Sequence, residues 1–389
     1  MRKFSLYLTI GFIAVFATLK SSAQTTDDVL NLLIQKGTIT EKEADSLRAD
    51  YAIKQQDIKA KQTLFPTTSF GKLLIDGYTQ VRYQNFQNQK VTPADGFDVR
   101  RVRLDFTGTI GTKFDYRAQI DFGGTAITPL DLYIVYKPFK DYLKFTAGQF
   151  YVPFSLENVS SDKSLELIDR SQVVNALVAR KGDASNNLVD SIGNQNGRDV
   201  GIQASGSVIP FEGRNLVDYY LGVFNGDGIN VADNNKQRDI STRIVVHPFK
   251  ILDIGASYYN GYDKFTGGTT GDRFRWGGEL ALNYKALTVK SEIISGQDGN
   301  TLSKHIDHQG GYVQAGYFFL PKKLQAVLKY DTYNYDENKA GVQSTYYILG
   351  VNYFFNSWAK IQVDYRKADG QGAVNSNNDL FSTQLQIAF

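Results

Sequence analysis

Arginine is the residue type whose spacing here points to chemistry. Arg82, Arg101, Arg103 and Arg117 lie in stretches that alternate apolar and polar side chains, the period of a strand. In the first stretch Ile75, Thr79, Val81 and Tyr83 take the face opposite Arg82. In the second, Val102, Leu104 and Phe106 oppose Arg101, Arg103 and Asp105. Lys113 and Arg117 share a face in the third, and Lys144 opposes Leu143, Phe145 and Ala147 in the fifth. A guanidinium holds carboxylate or phosphate oxygens in a planar fork, and rows of Arg and Lys turned to water favour anions. The interleaved Asp105, Asp115, Asp121 and Asp131 offer a second role, in which the same arginines brace the wall that carries them. The pattern leaves both roles open. Later positions on this face are mixed as well, with Arg243, Arg275, Lys290 and Lys329 against Asp253, Glu279, Glu292 and Asp331.

Nucleophilic or metal chemistry has little to work with. Cysteine is absent, which removes disulfides, thiolate ligands and Cys nucleophiles. Only three histidines occur. His247, before Pro248, reads as a turn residue; His305 and His308, with Asp307, read as part of a solvated loop, two ligands being few for a metal site. No Gly-x-Ser-x-Gly elbow, P-loop or His-Glu-x-x-His signature is suitably placed. No catalytic residue, metal ligand or cofactor is therefore assigned.

The elements that must position the arginines are strands. From Gly71 to the end the two-residue period repeats, most clearly over 113–122. Short connections at 108–112, 137–141, 210–215, 247–250, 285–286, 320–323 and 355–357 alternate with longer polar ones. The longer ones fall near 88–96, 123–128, 153–196, 225–236, 261–272, 297–309, 335–341 and 368–378. Alternating short turns and long loops is the rule of transmembrane barrels. Seven turns and eight loops join 16 strands, a number that leaves an aqueous channel rather than a filled interior. The final strand carries Phe381, Leu385, Ile387 and Phe389 on one face and Ser382, Gln384 and Gln386 on the other. An apolar outer face suits lipid, and a terminal aromatic is what outer-membrane barrels offer their assembly machinery, so Phe389 is the expected assembly signal. Tyr136, Tyr284, Tyr353 and Tyr365 fit an interfacial girdle better than a sugar-stacking slide.

Residues 1–23 have the form of a secretory signal, with Arg2 and Lys3, an apolar run, and Ser21-Ser22-Ala23. Without Arg2, Lys3 and Lys20 the 43 basic residues become 40, equal to the 40 acidic ones, so no polyanion or nucleic-acid partner follows from net charge. Residues 24–64 read as a periplasmic helical extension. An apolar patch at 29–34 stops near Gly37, and Thr40-Glu41-Lys42-Glu43 is a capping box for a second helix.

Specific sequence blocks then suggest a family. Gly77-Tyr78-Thr79-Gln80-Val81-Arg82-Tyr83 opens the barrel, and Phe97-Asp98-Val99-Arg100-Arg101-Val102-Arg103-Leu104 follows. Gly148-Gln149-Phe150-Tyr151-Val152-Pro153-Phe154-Ser155-Leu156-Glu157, Ile168-Asp169-Arg170-Ser171 and Gly197-Arg198-Asp199-Val200-Gly201 come later. Together they resemble the phosphate-selective porin O/P family of Gram-negative outer membranes. The resemblance implies a 16-stranded, trimeric, passive channel whose third external loop folds inward. The segment 153–196 matches that loop, and Arg170 then lies near the constriction. Leu156, Leu165, Leu167, Ile168, Val173 and Val174 make its first half apolar enough to pack; Lys181 to Asn196 is polar and expected to be mobile.

The expectation is an all-β, 16-stranded antiparallel transmembrane barrel over 65–389, preceded by the signal and the helical segment. Small solutes would diffuse through it, with Arg82, Arg101, Arg103, Arg117, Lys144 and Arg170 setting an anion preference and phosphate selectivity as the finer expectation. Expected partners are small anions, outer-membrane lipid, the barrel-assembly machinery and two further copies of the chain, with both termini periplasmic. A non-selective or oligosaccharide channel, or a barrel anchoring helices that bind an envelope partner, are the alternatives.

Overall fold

The computed structural model describes residues 26–40, 43–44, 71–87, 95–124, 126–179, 197–233, 235–264, 270–299, 305–370 and 378–389. The chain divides into two compact units, Met1–Phe65 and Pro66–Phe389. In the first, α1 (Thr26–Gln35) buries Leu30 and ends before Gly37. Thr40 and Glu43 form the expected capping box. The Thr40 backbone N–H donates to Glu43 Oε2 at 2.8 Å, and Glu43 N–H donates to Thr40 Oγ1 at 3.3 Å. The signal region and the remainder of the second helix lie outside the described residues.

The second unit is one closed antiparallel sheet of sixteen strands. The first eight are β1 (Gly71–Phe86), β2 (Gly96–Ile110), β3 (Phe114–Asp121), β4 (Thr128–Tyr136), β5 (Lys144–Tyr151), β6 (Arg198–Phe211), β7 (Arg214–Phe224) and β8 (Asp239–Phe249). They are followed by β9 (Leu252–Lys264), β10 (Thr270–Tyr284), β11 (Leu287–Gly299), β12 (His305–Leu320), β13 (Leu324–Asn334), β14 (Gln343–Phe354), β15 (Ala359–Gly370) and β16 (Leu380–Ala388). Each strand pairs with its sequence neighbours, and β1 pairs with β16 to close the ring. Beyond the last ladder residue, Phe389 N–H donates to the Gly77 carbonyl and Gly77 N–H to that of Phe389, at 3.0 and 3.1 Å. Closure leaves no sheet edge, the condition for strands to stand in hydrocarbon.

The ring is apolar outside and polar inside. Ile202 and Leu328 are 62 % and 61 % exposed, whereas Gln80 and Gln325 are 0 % and 1 %. In water that arrangement would squander the hydrophobic effect; with lipid outside it is the stable one. Tyr136, Tyr284, Tyr353 and Tyr365 stand on the exposed outer surface, as girdle residues do. No helix among the described residues is long and apolar enough to cross a membrane.

Short turns gather at one end of the barrel and longer connections at the other, because consecutive strands run antiparallel around the ring. Among the two-residue turns at 212–213, 250–251 and 285–286, Glu212 and Gly213 both have positive φ (48° and 75°), the twist that suits such a hairpin. One irregularity bears on the lumen. In the β1–β2 ladder Gln80 pairs with Arg101 but Val81 pairs with Val99, so Arg100 is an extra residue. This bulge switches the parity of β2, and side chains on both sides of it turn inward.

Candidate functional site

The segment between β5 and β6 does not stay outside the barrel. Residues 152–179 fold into the lumen through four short helical pieces, among them α2 (Leu156–Val159) and α3 (Gln172–Val174). Ser155 caps α2 by accepting from Asn158 N–H at 3.2 Å, and Ser171 caps α3 by accepting from Val174 N–H at 3.3 Å. Val173, Val174, Leu177 and Val178 then pack against Phe150, Phe224, Tyr259, Ile294 and Tyr333 of the wall. Fully burying an aliphatic side chain of this size contributes about 1.5–3 kcal/mol, so this cluster anchors the far end of the segment. A second apolar contact seats Leu167 on Val327 and Ile348.

Between these anchors the segment is tied by charge. Asp162, fully buried, meets Arg103 Nη1 at 2.6 Å, Arg101 Nη2 at 3.3 Å, and the Arg170 guanidinium. Arg103 also holds Asp121 at 2.8 Å and donates to Tyr78 Oη at 2.9 Å. Arg170 donates to the carbonyls of Glu157 and Ser160 at 2.7 and 2.6 Å, pinning the segment to itself. Next along, Asp169 meets Arg100 at 2.5 Å and Arg82 at 3.8 Å, while Arg82 forks onto Asp98 at 2.7 and 3.0 Å. Arg117 bridges Asp105 at 2.5 Å and Asp131 at 3.3 Å.

The opposite wall receives the segment differently. Glu292 accepts the Leu156 and Glu157 N–H groups at 2.9 and 2.8 Å, Asp331 accepts from Gln172 N–H at 2.9 Å, and Asp364 from Ile168 N–H at 2.7 Å. Glu157 pairs with Lys329 at 2.6 Å. Glu166 accepts from Thr288, Lys290, Gln314 and Gln325. Burial pushes the Glu166 and Asp169 carboxyls up. The donors outweigh it, Lys290 foremost at Glu166 and Arg100 foremost at Asp169, and both end below the usual carboxylate range. Burial likewise works against the Arg170 charge, and Asp162 more than restores it. These two carboxylates are therefore charged at neutral pH.

The six cations singled out from the sequence do not form one cluster. Arg101, Arg103 and Arg170 converge on Asp162; Arg82 joins through Asp169; Arg117 stands beside them on β3. Lys144 is at the turn end of β5, paired with Asp141 at 3.3 Å, away from where the segment leaves that strand. Each of the six has a carboxylate partner.

Sequence parity missed Arg100 because the bulge that turns it inward leaves no mark on the alternation. It also passed over Arg198, buried against Asp131 at 2.6 Å and stacked on Tyr151 at 3.7 Å. Its place beside Gly197 at the opening of β6 was the available signal.

Two histidine readings need correction. His308 is not in a solvated loop: β12 begins at His305, and His308 is fully buried with Nε2 3.1 Å from Asp298. The strand simply runs past the apolar band, where its sequence becomes polar. His247 is within β8 and links Asp253 at 2.6 Å with Asp218 at 3.2 Å, so it ties neighbouring strands rather than filling a turn. No grouping of three His, Cys, Asp or Glu side chains suited to a metal occurs among the described residues. The polar stretch 181–196 lies outside them.

Comparisons with known proteins agree with this architecture. No sequence among curated proteins matches the chain. Solved structures do. An anion-selective porin from Comamonas acidovorans superposes with TM-score 0.62 at 12% identity, covering 82% of this chain and 100% of that one. The trimer form of OmpT from Vibrio cholerae gives 0.60 at 14%, covering 82% and 100%. The outer membrane channel DcaP of Acinetobacter baumannii gives 0.58 at 12%, covering 84% and 99%. At these identities the likeness is one of fold. The sequence profile of the family described as phosphate-selective porin O and P matches residues 75–389, nearly the whole barrel. The chain belongs to that family and is a porin of the Gram-negative outer membrane.

Proposed function

We propose that the protein lets small solutes diffuse passively across the outer membrane, with a preference for anions. The observation that carries the anion preference is the order of charges at Arg117. Its side chain is 27 % exposed to the lumen, while its partners Asp105 and Asp131 are 9 % and 1 % exposed. Water therefore meets the guanidinium first, with the carboxylates behind it. Lys290 repeats the arrangement on the other side of the ring, 29 % exposed against 12 % for Glu166. A passing ion feels the nearer charge more strongly.

Arg101, Arg103 and Arg170 hold the segment in place and shape the opening, whereas Arg82, 16 % exposed, lies behind Asp98 and Asp169 at 45 % and 38 % and braces the wall. Lys144 contributes at the turn end. Phosphate selectivity belongs to this reading as its narrowest form, since guanidinium forks suit phosphate oxygens. Assembly as a homotrimer is in keeping with the trimer form of the Vibrio OmpT neighbour. An even strand number puts both barrel ends on one side, taken here as periplasmic, with Phe389 as the signal for the assembly machinery. Catalysis has no part in the proposal.

The test is the reversal potential of the purified protein in a planar bilayer under a KCl gradient, followed by phosphate titration. We expect the reversal on the anion side, moving toward zero in Arg117→Ala, with phosphate reducing the chloride current. A reversal on the cation side overturns the anion preference, and a chloride current indifferent to phosphate overturns its phosphate form.

A further inference from the structure

Glu166 is held more completely than an ion pair requires. Its Oε1 accepts from Thr288 Oγ1 at 2.8 Å and Gln325 Nε2 at 2.9 Å; its Oε2 accepts from Lys290 Nζ at 3.2 Å and Gln314 Nε2 at 2.6 Å. An ionised carboxylate has about four lone-pair sites, and all four are met here. The donors come from the lumen faces of β11, β12 and β13, three adjacent strands of the fixed wall. The band continues on β14 and β15. Asn352 donates to the Glu166 carbonyl at 2.7 Å and Lys360 to the Leu165 carbonyl at 2.8 Å.

This wall differs from the one facing it. On β1–β3 three arginines already have wall carboxylates of their own, Asp98 for Arg82, Asp121 for Arg103 and Asp105 for Arg117, while Arg100 and Arg101 meet Asp169 and Asp162 of the segment. Lys290 has no ion pair with a wall carboxylate among the described residues; its partner is Glu166, which the inserted segment brings. The donor set exists on the barrel, and its acceptor arrives on a loop.

We propose that the lumen face of β11–β13 is a binding site for carboxylate-bearing solutes, occupied at rest by Glu166 of the chain itself. The inference rests on the channel reading and deepens it by naming a ligand class and its place. A solute carboxylate meets the same four donors, two on each oxygen, only when the Glu166 side chain swings out. The cavity bordered by Glu166, Lys290 and Gln314 is about 20 Å³, room for one water and not for a solute beside Glu166. Binding is therefore competitive with a tethered carboxylate, which keeps affinity for the solute low and release fast. A phosphate brings more oxygens than these four donors serve, so a carboxylate is the better match.

The test uses the full mature protein in planar bilayers, with succinate added to a KCl solution and phosphate run in parallel. Glu166→Ala, which removes the competitor, should lower the succinate concentration for half-block of chloride current by about tenfold while leaving phosphate block near the wild-type level. Adding Lys290→Gln should reverse that gain. Glu166→Gln, which keeps the bulk and safeguards the fold, should change in the same direction by less. Heat-modifiable mobility on electrophoresis establishes that each variant is folded. Folded variants with wild-type succinate block, a gain that survives Lys290→Gln, or an equal gain for phosphate each overturn the proposal. Calorimetric titration of succinate into the detergent-solubilised Glu166→Ala protein separates the two readings: heat of binding without ion current would sink conduction and keep the site, and no heat would sink the site.

Discussion

Asp162 is the residue on which the constriction turns. It is buried among Arg101, Arg103 and Arg170, only 2 % exposed. Breaking a buried pair by removing one partner costs about 3–5 kcal/mol, because charge is left uncompensated. Asp162→Ala should therefore loosen the segment without opening the barrel wall, where Arg103 keeps Asp121. Trypsin cleavage after the adjacent Lys163 is the readout. It should be markedly faster in the variant, and an unchanged rate would mean that the apolar anchor alone holds the segment. Much of this site was legible in the sequence. Period-two alternation turned Arg82, Arg101, Arg103 and Arg117 inward, where they stand. What could not be read was pairing. Asp162 is distant in sequence from Arg101 and Arg103, and nothing local announces that a loop carboxylate will meet them. Arg100 was hidden by the bulge, a backbone event without a residue signature.

At the level of elements, the segment 152–179 is a loop with the burial of a core. Its apolar end fits because wall glycines make room. A Cβ on Gly310 would stand 2.8 Å from Val173 Cβ and 2.6 Å from the Thr332 carbonyl, neither of which can yield cheaply. Gly310→Ala should cost about 1–3 kcal/mol by overpacking and push α3 off the wall. Single-channel recordings should show added open-channel noise. Gly278→Ala, whose new Cβ would meet only Ile293 Cγ2 at 3.7 Å, should record as wild type. If both behave alike, the packing of Val173 does not steady the channel. The turns and loops were readable because each strand's alternation breaks at polar, Gly-rich connections. The boundaries of β12 were not, since His305 to His308 is polar yet still paired with β11.

For the whole molecule, an inside-out barrel explains the composition. Aromatic and aliphatic side chains face lipid, amides and charges face inward, and the near balance of 43 basic against 40 acidic residues leaves selectivity to local geometry. A ring of sixteen strands is wide enough for an aqueous channel, and the proposed function makes the inserted segment, not the wall, the limit on conductance. The direct measurement is single-channel conductance of the wild type against a variant in which residues 157–178 are replaced by a short Gly-Ser linker, each shown to be folded by heat-modifiable mobility. The account predicts that conductance at least doubles, roughly, with the constriction gone and the full lumen of a 16-stranded barrel available. Equal conductances would contradict it, placing the limit in the wall and leaving the segment without a part in permeation.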